Sequence, residues 1–396
     1  MRARESEKHV KPEMELLLCC ARRTLDTAQA ARLKEILQGP LDWELLFPMA
    51  TQSGLLPLLC KHLRDLGTLP DQFREANRQN SLRALFLTAE LLRIADRFRE
   101  REIPAMPYKG PVLGQIAYDN PQLRQFDDLD FVVPQRFIAD AYQEMEALGY
   151  EPKFQRPRAS LRTDARIPGE YVFVHRVNGA MVEIHTEATL RHFPRPPNIE
   201  DMGHRSIEIT LNGRRIRTFD SADTLLLLCI HGAKDFWSRL IWVADVAQMI
   251  KKLAAADWES VLAEAKEHDA ERMLRLGLWL ARATFGSELP VSVLQNAERD
   301  RAVARIGNEL CEQLLHRKKE PQGIVWRSHY RMRMVHPAWK GVLYWLHLSI
   351  APAEEDWAAL SDGRGHGVRY ALLRPLRLWR KYRRSAESKP QDQRKG

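Results

Sequence analysis

The chain has 396 residues and a formal net charge of +9, and 44% of its residues are apolar and 29% charged. These values are typical of a soluble globular protein of two or three domains. No run of about 18 apolar residues is present, which excludes a transmembrane segment, and the N-terminus is too charged for a secretory signal. The five scattered cysteines lie mostly in apolar helical runs, so we expect a reduced, cytoplasmic protein without a zinc site.

The first hundred residues are predicted to be helical. They are rich in Leu, Ala, Arg and Glu, and apolar residues recur three and four positions apart, a period that predicts four or five helices. The last helix is expected from Ser81, acting as its N-terminal cap, to Glu102, after which the first sheet strand begins. We therefore predict an N-terminal helical region over residues 1–80 and a mixed-sheet core over residues 81–220.

The next stretch carries the polar residues around which the chain is organised, on a short strand, a small helix, a polar loop and a second strand. In chain order, these elements are marked by Lys109-Gly110, residues 111–118, Arg124 and a strand that begins at Asp127. Because successive side chains of a strand point to opposite faces, Asp128 and Asp130 share one face of the second strand. The other face, with Leu129, Phe131 and Val133, suits a core.

Asp128 and Asp130 predict a metal site. Two neighbouring carboxylates repel each other unless a positive charge lies between them, and Mg²⁺, with Mn²⁺ as the other option, is a cation that oxygen ligands bind well. An isolated Asp-x-Asp is a weak signal, because solvated strand ends often carry it. The prediction gains weight from Lys109 and Arg124 nearby and from a further acidic strand downstream.

That further strand belongs to a predicted β-hairpin over residues 170–187, with Asn178-Gly179 as its turn. Asn-Gly between two β-rich runs is a strong hairpin signal. Val182 and Ile184 are expected to face the core, which places Glu183 on the polar face. If this strand pairs beside residues 127–133, Glu183 completes a three-carboxylate cluster suited to metal-assisted phosphoryl or nucleotidyl transfer.

The rest of the chain is predicted to be helical and then strongly basic. A long helix is expected over residues 221–250, within a C-terminal helical domain over 221–363. Residues 364–396 form a basic tail in which eleven Lys and Arg residues face only two acidic ones. This tail accounts for the whole net charge, so nucleic-acid binding is a possible but disfavoured function of the chain.

Together these motifs resemble the nucleotidyltransferase superfamily that includes DNA polymerase β. More narrowly, they resemble a bacterial nucleotidyltransferase family with Leu-Lys-Gly, a Tyr, and Arg-x-x-x-Asp-[Ile/Leu]-Asp. The matching residues here are Lys109-Gly110, Tyr118, Arg124, Asp128 and Asp130. The resemblance covers most of the chain, because it continues through residues 182–185 and 225–250 and extends to residues 370–382.

The sequence departs from the pattern of this family at three positions. Tyr108 replaces an aliphatic residue, Glu183 stands where Asp is common, and Asp235 stands where relatives often have a second His, four residues after His231. A pair of metal-binding histidines is therefore not expected on this helix. His231 with Asp235, or Asp235 with Arg239, is expected to form an intrahelical ion pair.

The resemblance implies an α+β fold with a mixed-sheet nucleotidyltransferase core between helical regions. It also implies transfer of a nucleoside monophosphate from a nucleoside triphosphate, with ATP as the expected donor, to an unidentified hydroxyl or phosphate acceptor. Asp128, Asp130 and Glu183 are the expected catalytic and metal-binding residues. Lys109, Gly110 and Arg124 are the expected contacts for the phosphates.

The same residues allow alternative interpretations. Lys109 could pair structurally with Asp128 or Asp130, and Glu183 could pair across the hairpin with His175 or Arg176. The basic loop near residues 153–166 either folds over the nucleotide or is merely solvated. For the whole protein, there are two alternative functions. One is a catalytically silent scaffold, and the other is a toxin-like transferase that acts on protein or RNA, which the basic tail suggests.

Overall fold

The computed structural model describes residues 10–153, 170–186, 199–316, 324–335 and 337–350. Most of the basic loop and the whole basic tail predicted at 364–396 lie outside these residues. None of the described helices is both long and apolar enough to cross a bilayer.

The described part of the chain forms sixteen α-helices and seven strands. The helices are α1 (Pro12–Cys20), α2 (Thr27–Gln38), α3 (Trp43–Ser53), α4 (Leu56–Asp65), α5 (Asp71–Glu100), α6 (Gly110–Tyr118), α7 (Ile138–Ala147), α8 (Ile199–His204), α9 (Ser221–Lys234), α10 (Leu240–Ile250), α11 (Ala255–Glu267), α12 (Glu271–Phe285), α13 (Val291–Arg299), α14 (Arg301–His316), α15 (Ile324–Met334) and α16 (Ala338–Ile350). The strands are β1 (Met106–Pro107), β2 (Asp128–Val132), β3 (Tyr150–Pro152), β4 (Glu170–His175), β5 (Met181–His185), β6 (Ile207–Leu211) and β7 (Arg214–Thr218).

Helix α5 is longer than the sequence predicted. It begins at Asp71, directly after Pro70 in an extended conformation, and continues for 30 residues. The acidic Asp71 suits the first turn, where it complements the helix dipole. The prediction that Ser81 caps this helix was therefore wrong, and the predicted division of the chain at residue 80 falls inside a continuous helix.

Five strands form one mixed sheet in the order β1-β2-β5-β4-β3. The central pair, β2 and β5, is parallel, whereas every other neighbouring pair is antiparallel. Strands β6 and β7 form a separate antiparallel hairpin. The parallel pairing matters most for function, because it brings two acidic strands that are distant in sequence side by side.

The sheet buries its apolar face against α5 and α7. Leu129 and Phe131 of β2 and Val182 and Ile184 of β5 are fully buried in this core, as the alternation of the strands predicted. Leu91 of α5 belongs to the same cluster. The opposite, polar face of β2 and β5 is thereby left toward the helical part of the chain.

The N-terminal and C-terminal helices share a second, larger core. Leu16 of α1 and Leu59 of α4 belong to the same buried cluster as Leu226 of α9 and Leu276 of α12. Tyr118 of α6 also enters this cluster, which ties the helical part to the sheet. The predicted mixed-sheet core between helical regions is therefore confirmed.

The helix predicted over residues 221–250 is in fact two helices, α9 and α10. Between them, Phe236 and Trp237 adopt left-handed backbone conformations, with φ of 58° and 51°. The Trp237 side chain is fully buried and packs on Gly232, where an added Cβ would lie 2.6 Å from the indole ring. The burial of this large ring provides the physical reason for the break, because it offsets two strained residues.

Candidate active site

The parallel pairing of β2 and β5 brings the predicted acidic residues together. Asp130 is the register partner of Glu183, and Asp128, two residues earlier, begins β2 on the same face. The Glu183 side chain is 22% exposed and that of Asp130 only 5%. Three carboxylates therefore form a cluster on the polar face of the inner strands β2 and β5.

Asp130 is the centre of this cluster. Its Oδ1 accepts hydrogen bonds from Lys109 Nζ at 3.1 Å and from His185 Nε2 at 3.0 Å. Burial alone would raise the pKa of Asp130, but the charge of Lys109 and the hydrogen bond from His185 outweigh it, so this pKa lies well below its usual range. Asp130 is thus held as an anion, and the predicted structural pairing of Lys109 with one of the aspartates is observed.

Lys109 and Gly110 form a tight turn that leads into α6. Both residues have positive φ, 43° for Lys109 and 42° for Gly110. A Cβ on Gly110 would lie only 3.3 Å from the carbonyl oxygen of Asp128, so glycine lets the N-terminus of α6 approach β2 closely. The first amide groups of α6 therefore begin beside the carboxylates, where a helix N-terminus favours anions.

The surroundings of the other two carboxylates, Asp128 and Glu183, disfavour their charged forms. Burial, and then the charge of Asp130, raises the pKa of Asp128. Burial, and then the charges of Glu170, Asp130 and Asp128, raises the pKa of Glu183 to about 8. Glu170, at the start of β4, pairs in register with His185 and so adds a fourth carboxylate to the cluster. The cluster holds more negative charge than Lys109 neutralises.

The residues present fit a divalent cation. Asp130, Glu183 and His185 each offer one ligand atom, and these atoms lie within 4.8 Å of one another. Carboxylate oxygens suit Mg²⁺ or Mn²⁺, and a cation would relieve the repulsion within the cluster. In the observed arrangement, His185 donates its Nε2 hydrogen to Asp130. Coordination by this nitrogen would therefore require the other tautomer of the ring.

The raised pKa of Glu183 predicts a pH dependence of stability in the metal-free protein. An acid whose pKa is raised on folding contributes stability fully below its unfolded pKa of 4.5, and this contribution is lost as the pH rises through about 8. Each pKa unit corresponds to about 1.4 kcal/mol. Relative to the wild type, Glu183→Gln should thus gain stability as the pH rises to 8, measured by urea unfolding in the presence of a chelator.

Glu151→Gln is the matched control for this experiment. Glu151 lies on β3, an outer strand of the sheet, and its side chain is 61% exposed. Its substitution should therefore show no gain at high pH. Identical pH dependences of the wild type and the Glu183 variant would contradict the repulsion described above.

Arg124 lies in a buried network with the helical part of the chain. Its Nε and Nη2 atoms both lie 3.0 Å from Asp245 Oδ2, and Tyr118 donates its hydroxyl hydrogen to Asp245 Oδ1 at 2.9 Å. Arg124 and Asp245 are almost completely buried. The structure thus gives Arg124 a positioning contact between the core and α10, and it gives Tyr118 the packing role that its place on a small helix favoured.

The end of α9 and the start of α10 carry further charged residues, and Lys234 Nζ of α9 lies 3.7 Å from Glu170 Oε2. His231 Nδ1 lies 3.3 Å from Asp235 Oδ2, as the sequence predicted for an i, i+4 pair. Arg239 lies next to the turn that ends α3, since its Nη2 would be 3.1 Å from a Cβ on Gly54. The break between α9 and α10 separates Asp235 from Arg239, so the predicted alternative pair between them does not form.

Arg239 is the least neutralised of these cations. None of the residues that the structure describes forms an ion pair or a hydrogen bond with its guanidinium. Burial, and then the charge of Arg124, lowers the pKa of Arg239, whereas Asp127 and Asp128 act in the opposite sense. Arg239 is therefore a half-buried cation without a partner, and the charge of Asp128 in the carboxylate cluster acts on it.

The sequence interpretation missed two members of the site and undervalued a third. Glu170 was taken only as the first residue of a strand, and Arg239 was placed inside a long helix. His185 was not among the predicted site residues, although its position two residues after Glu183 places it on the same face. For Glu170, the alternation of β4 was the only available signal, and it needed the hairpin register to become useful.

Comparisons with known proteins give one matching family and several similar solved structures. The model of a family described as uncharacterised nucleotidyltransferase matches residues 39–286, which include every residue of the site named above. The antibiotic-resistance factor ANT(2'')-Ia has a similar solved structure, with 12% identity, a TM-score of 0.35, and coverage of 46% of this chain and 92% of that chain. An antigenic nucleotidyltransferase-like protein from Paracoccidioides brasiliensis is also similar, with 14% identity, a TM-score of 0.33, and coverage of 53% and 97%. No curated protein matches the sequence.

Proposed function

The chain belongs to the family of uncharacterised nucleotidyltransferases, and we propose that it moves a nucleoside monophosphate from a nucleoside triphosphate to an acceptor, with release of pyrophosphate. The observation that carries this proposal is the register pair Asp130 and Glu183, with Asp128 on the same face of the sheet. ATP is the proposed donor. The acceptor group is a hydroxyl or a phosphate.

Asp128, Asp130 and Glu183 are proposed to hold Mg²⁺, or alternatively Mn²⁺. Such an ion neutralises charge that develops on the phosphates and orients them. The hydrogen bond from His185 to Asp130 fixes one of the carboxylates for this task. The low pKa of Asp130 keeps it charged throughout the physiological range.

The triphosphate is proposed to lie between the N-terminus of α6 and the start of α10. Lys109 and the backbone amides near Gly110 contact it from the sheet side. Arg239, which has no partner in the described part of the chain, contacts it from the helical side. Arg124 positions these two sides through Asp245, so we assign it a supporting role rather than a direct contact with phosphate.

The intact cluster of carboxylates argues against the silent-scaffold alternative. A scaffold that only binds a partner would not need several partly buried carboxylates that repel one another. The toxin-like alternative depends on the tail at 364–396, which lies outside the described residues. The nucleotidyl transfer reaction therefore remains the proposal that the described geometry supports best.

A direct test is the release of pyrophosphate from each of the four nucleoside triphosphates in the presence of Mg²⁺. Glycerol serves as a general hydroxyl probe for the acceptor, and water is the acceptor in its absence. We expect one or more nucleotides to yield a nucleoside monophosphate or its glycerol ester together with pyrophosphate. Release of inorganic phosphate instead, or of neither product, would contradict the proposal.

Arg239→Gln is expected to weaken nucleotide binding. A hydrogen bond to a charged group contributes about 1.5–3 kcal/mol, so the Kd of the Mg²⁺-nucleotide complex should rise about 10- to 100-fold. Arg239→Lys keeps the charge but loses the planar guanidinium with its paired donors. The Kd of this variant should therefore lie between those of the wild type and Arg239→Gln. Isothermal titration calorimetry measures all three values.

Arg215→Gln is the matched control for this prediction. Arg215 lies on β7, and its side chain is 82% exposed. Its substitution should leave the Kd unchanged. A wild-type Kd in the Arg239→Gln variant would remove Arg239 from the proposed triphosphate site.

A further inference from the structure

The end of α4 and the first half of α5 enclose a cavity of about 460 Å³. This volume lies within the range of pockets that bind small organic ligands. Arg64 lines the cavity from the last turn of α4, and Gly67 and Leu69 line it from the connection to α5. None of its lining residues belongs to the carboxylate cluster of β2 and β5, so the cavity is a separate feature of the molecule.

One face of α5 forms the remaining wall of the cavity. This wall consists of Arg74, Asn77, Arg78 and Ser81, which are three or four positions apart and therefore lie on the same side of the helix. Ser81, which the sequence predicted as the cap of this helix, thus lies inside α5 and faces the cavity. The wall presents two guanidinium groups, a carboxamide and a hydroxyl.

The lining of the cavity is cationic. Of the described residues that line it, three are arginines and none is acidic. Arg78 binds Glu75 through Nε and Nη2, each at 2.8 Å, but both side chains are more than half exposed. Such surface pairs contribute little, so an anion in the cavity can share these donors. Arg64 forms no ion pair within the described part of the chain.

Asn77 is a buried polar residue without a partner. Only 8% of it is exposed, and among the described residues none forms a hydrogen bond with its carboxamide. The same holds for the hydroxyl of Ser81. Buried polar groups are normally hydrogen-bonded, because a group that lacks a partner costs free energy. The carboxamide of Asn77 is therefore free to bind a ligand in the cavity that it lines.

We propose that this cavity binds a small phosphorylated compound, of the class of the sugar phosphates, at a site distinct from the carboxylate cluster. The three arginines bind the phosphate group, because their planar donors match its oxygens and their charges balance its own. Asn77 and Ser81 form hydrogen bonds with hydroxyl groups of the organic part, and Leu69 packs against its carbon atoms. This inference does not depend on the proposed nucleotidyl transfer.

The residues next to the lining favour a small ligand over a nucleic acid. Three exposed carboxylates, those of Asp65, Asp71 and Glu75, lie close in sequence to the arginines of the cavity. A nucleic acid, which carries many phosphates, would meet these negative charges as it ran across the surface. A compound with a single phosphate group contacts only the cationic lining.

The test is calorimetric titration with ribose 5-phosphate in the presence of a chelator, which removes any metal from the carboxylate cluster. The wild type should bind ribose 5-phosphate but not ribose. Arg64→Gln should raise the Kd by about tenfold or more, because a hydrogen bond to a charged group is lost. Asn77→Ala should raise the Kd about 3- to 10-fold. Its urea midpoint should be no lower than that of the wild type, since alanine favours a helix and no hydrogen bond within the described chain is lost.

Arg99→Gln is the matched control, because Arg99 also forms an exposed i, i+3 ion pair on α5 but lies outside the cavity. This variant and Asp128→Asn/Asp130→Asn should bind ribose 5-phosphate with the Kd of the wild type.

Three results would overturn the inference. The first is a wild type that does not bind ribose 5-phosphate, and the second is an unchanged Kd in Arg64→Gln. The third is binding of a single-stranded RNA, but not of ribose 5-phosphate, that Arg64→Gln weakens, which would indicate a nucleic-acid surface instead. The proposed nucleotidyl transfer is tested by pyrophosphate release and would stand in each case.

Discussion

Asp130→Asn is expected to lower the rate of pyrophosphate release by about 10³-fold, because it removes the charge on which the site depends. Asp130 accepts hydrogen bonds from both Lys109 and His185, and it is the register partner of Glu183. Asparagine keeps the size of the side chain but cannot balance Lys109 or hold a divalent cation with a full negative charge. The rate is measured with saturating Mg²⁺ and nucleotide.

Asp127→Asn is the control for this effect. Asp127 is the residue before β2 and is exposed. Its substitution removes one carboxylate from the same stretch of chain, but leaves the cluster intact. A fall of less than tenfold in Asp130→Asn, in a protein that unfolds at the same urea concentration as the wild type, would place the chemistry elsewhere.

Arg124→Met is expected to destabilise the protein by about 3–5 kcal/mol, the cost of leaving one member of a buried ion pair without its partner. The same cost is expected for Asp245→Leu, which also leaves the hydroxyl of Tyr118 without its acceptor. The double substitution should cost much less than the sum of the two, because no unpaired charge remains. Urea unfolding of the four proteins gives this coupling energy.

A surface ion pair gives the reference value. Arg99 pairs with Asp96 on α5, and its side chain is 72% exposed, so Arg99→Met should cost no more than about 1 kcal/mol. If Arg124→Met retained wild-type stability and instead lost nucleotide binding, Arg124 would contact phosphate directly. That outcome would restore the role which the family resemblance implied for it.

The face of each acidic strand could be predicted because it depends only on local alternation. Leu129 and Phe131 in β2, and Val182 and Ile184 in β5, are apolar residues two apart, and all four are fully buried. An apolar pattern of period two leaves the residues between them on the polar face. The face of the sheet on which Asp128, Asp130 and Glu183 lie therefore followed from the sequence.

The distance between the two acidic strands could not be predicted in the same way. Pairing of β2 with β5 is parallel and joins residues about fifty positions apart, so no turn fixes its register. The sequence interpretation could state this pairing only as a condition. The resemblance to a known family supplied the expectation, and the structure places Asp130 opposite Glu183.

The hairpin register differed from the one that a tight Asn-Gly turn would give. His175 donates its backbone hydrogen to the carbonyl of Ala180, so the loop contains four residues rather than two. This wider loop pairs Val172, and not His175 or Arg176, with Glu183. Glu183 is therefore not the cross-strand partner of His175 or Arg176, the pairing that was the alternative to its role in the site.

The break between α9 and α10 was missed because its cause is not local. The apolar pattern continues through residues 225–246, and only the packing of Trp237 on Gly232 shows why the helix ends. A glycine inside an apolar helix does signal close packing, but not which side chain approaches it. Arg239 was consequently placed on a helix face and not at the edge of the site.

The most direct test of the central claim is calorimetric titration of the wild type with ATP, GTP, CTP and UTP, with and without Mg²⁺, beside the double variant Asp128→Asn/Asp130→Asn. The account predicts binding of at least one nucleotide that requires Mg²⁺ and is lost in a folded double variant. Two results would contradict a metal-dependent nucleotide site at the carboxylate cluster of β2 and β5. The wild type would bind none of the four nucleotides, or both proteins would bind them equally.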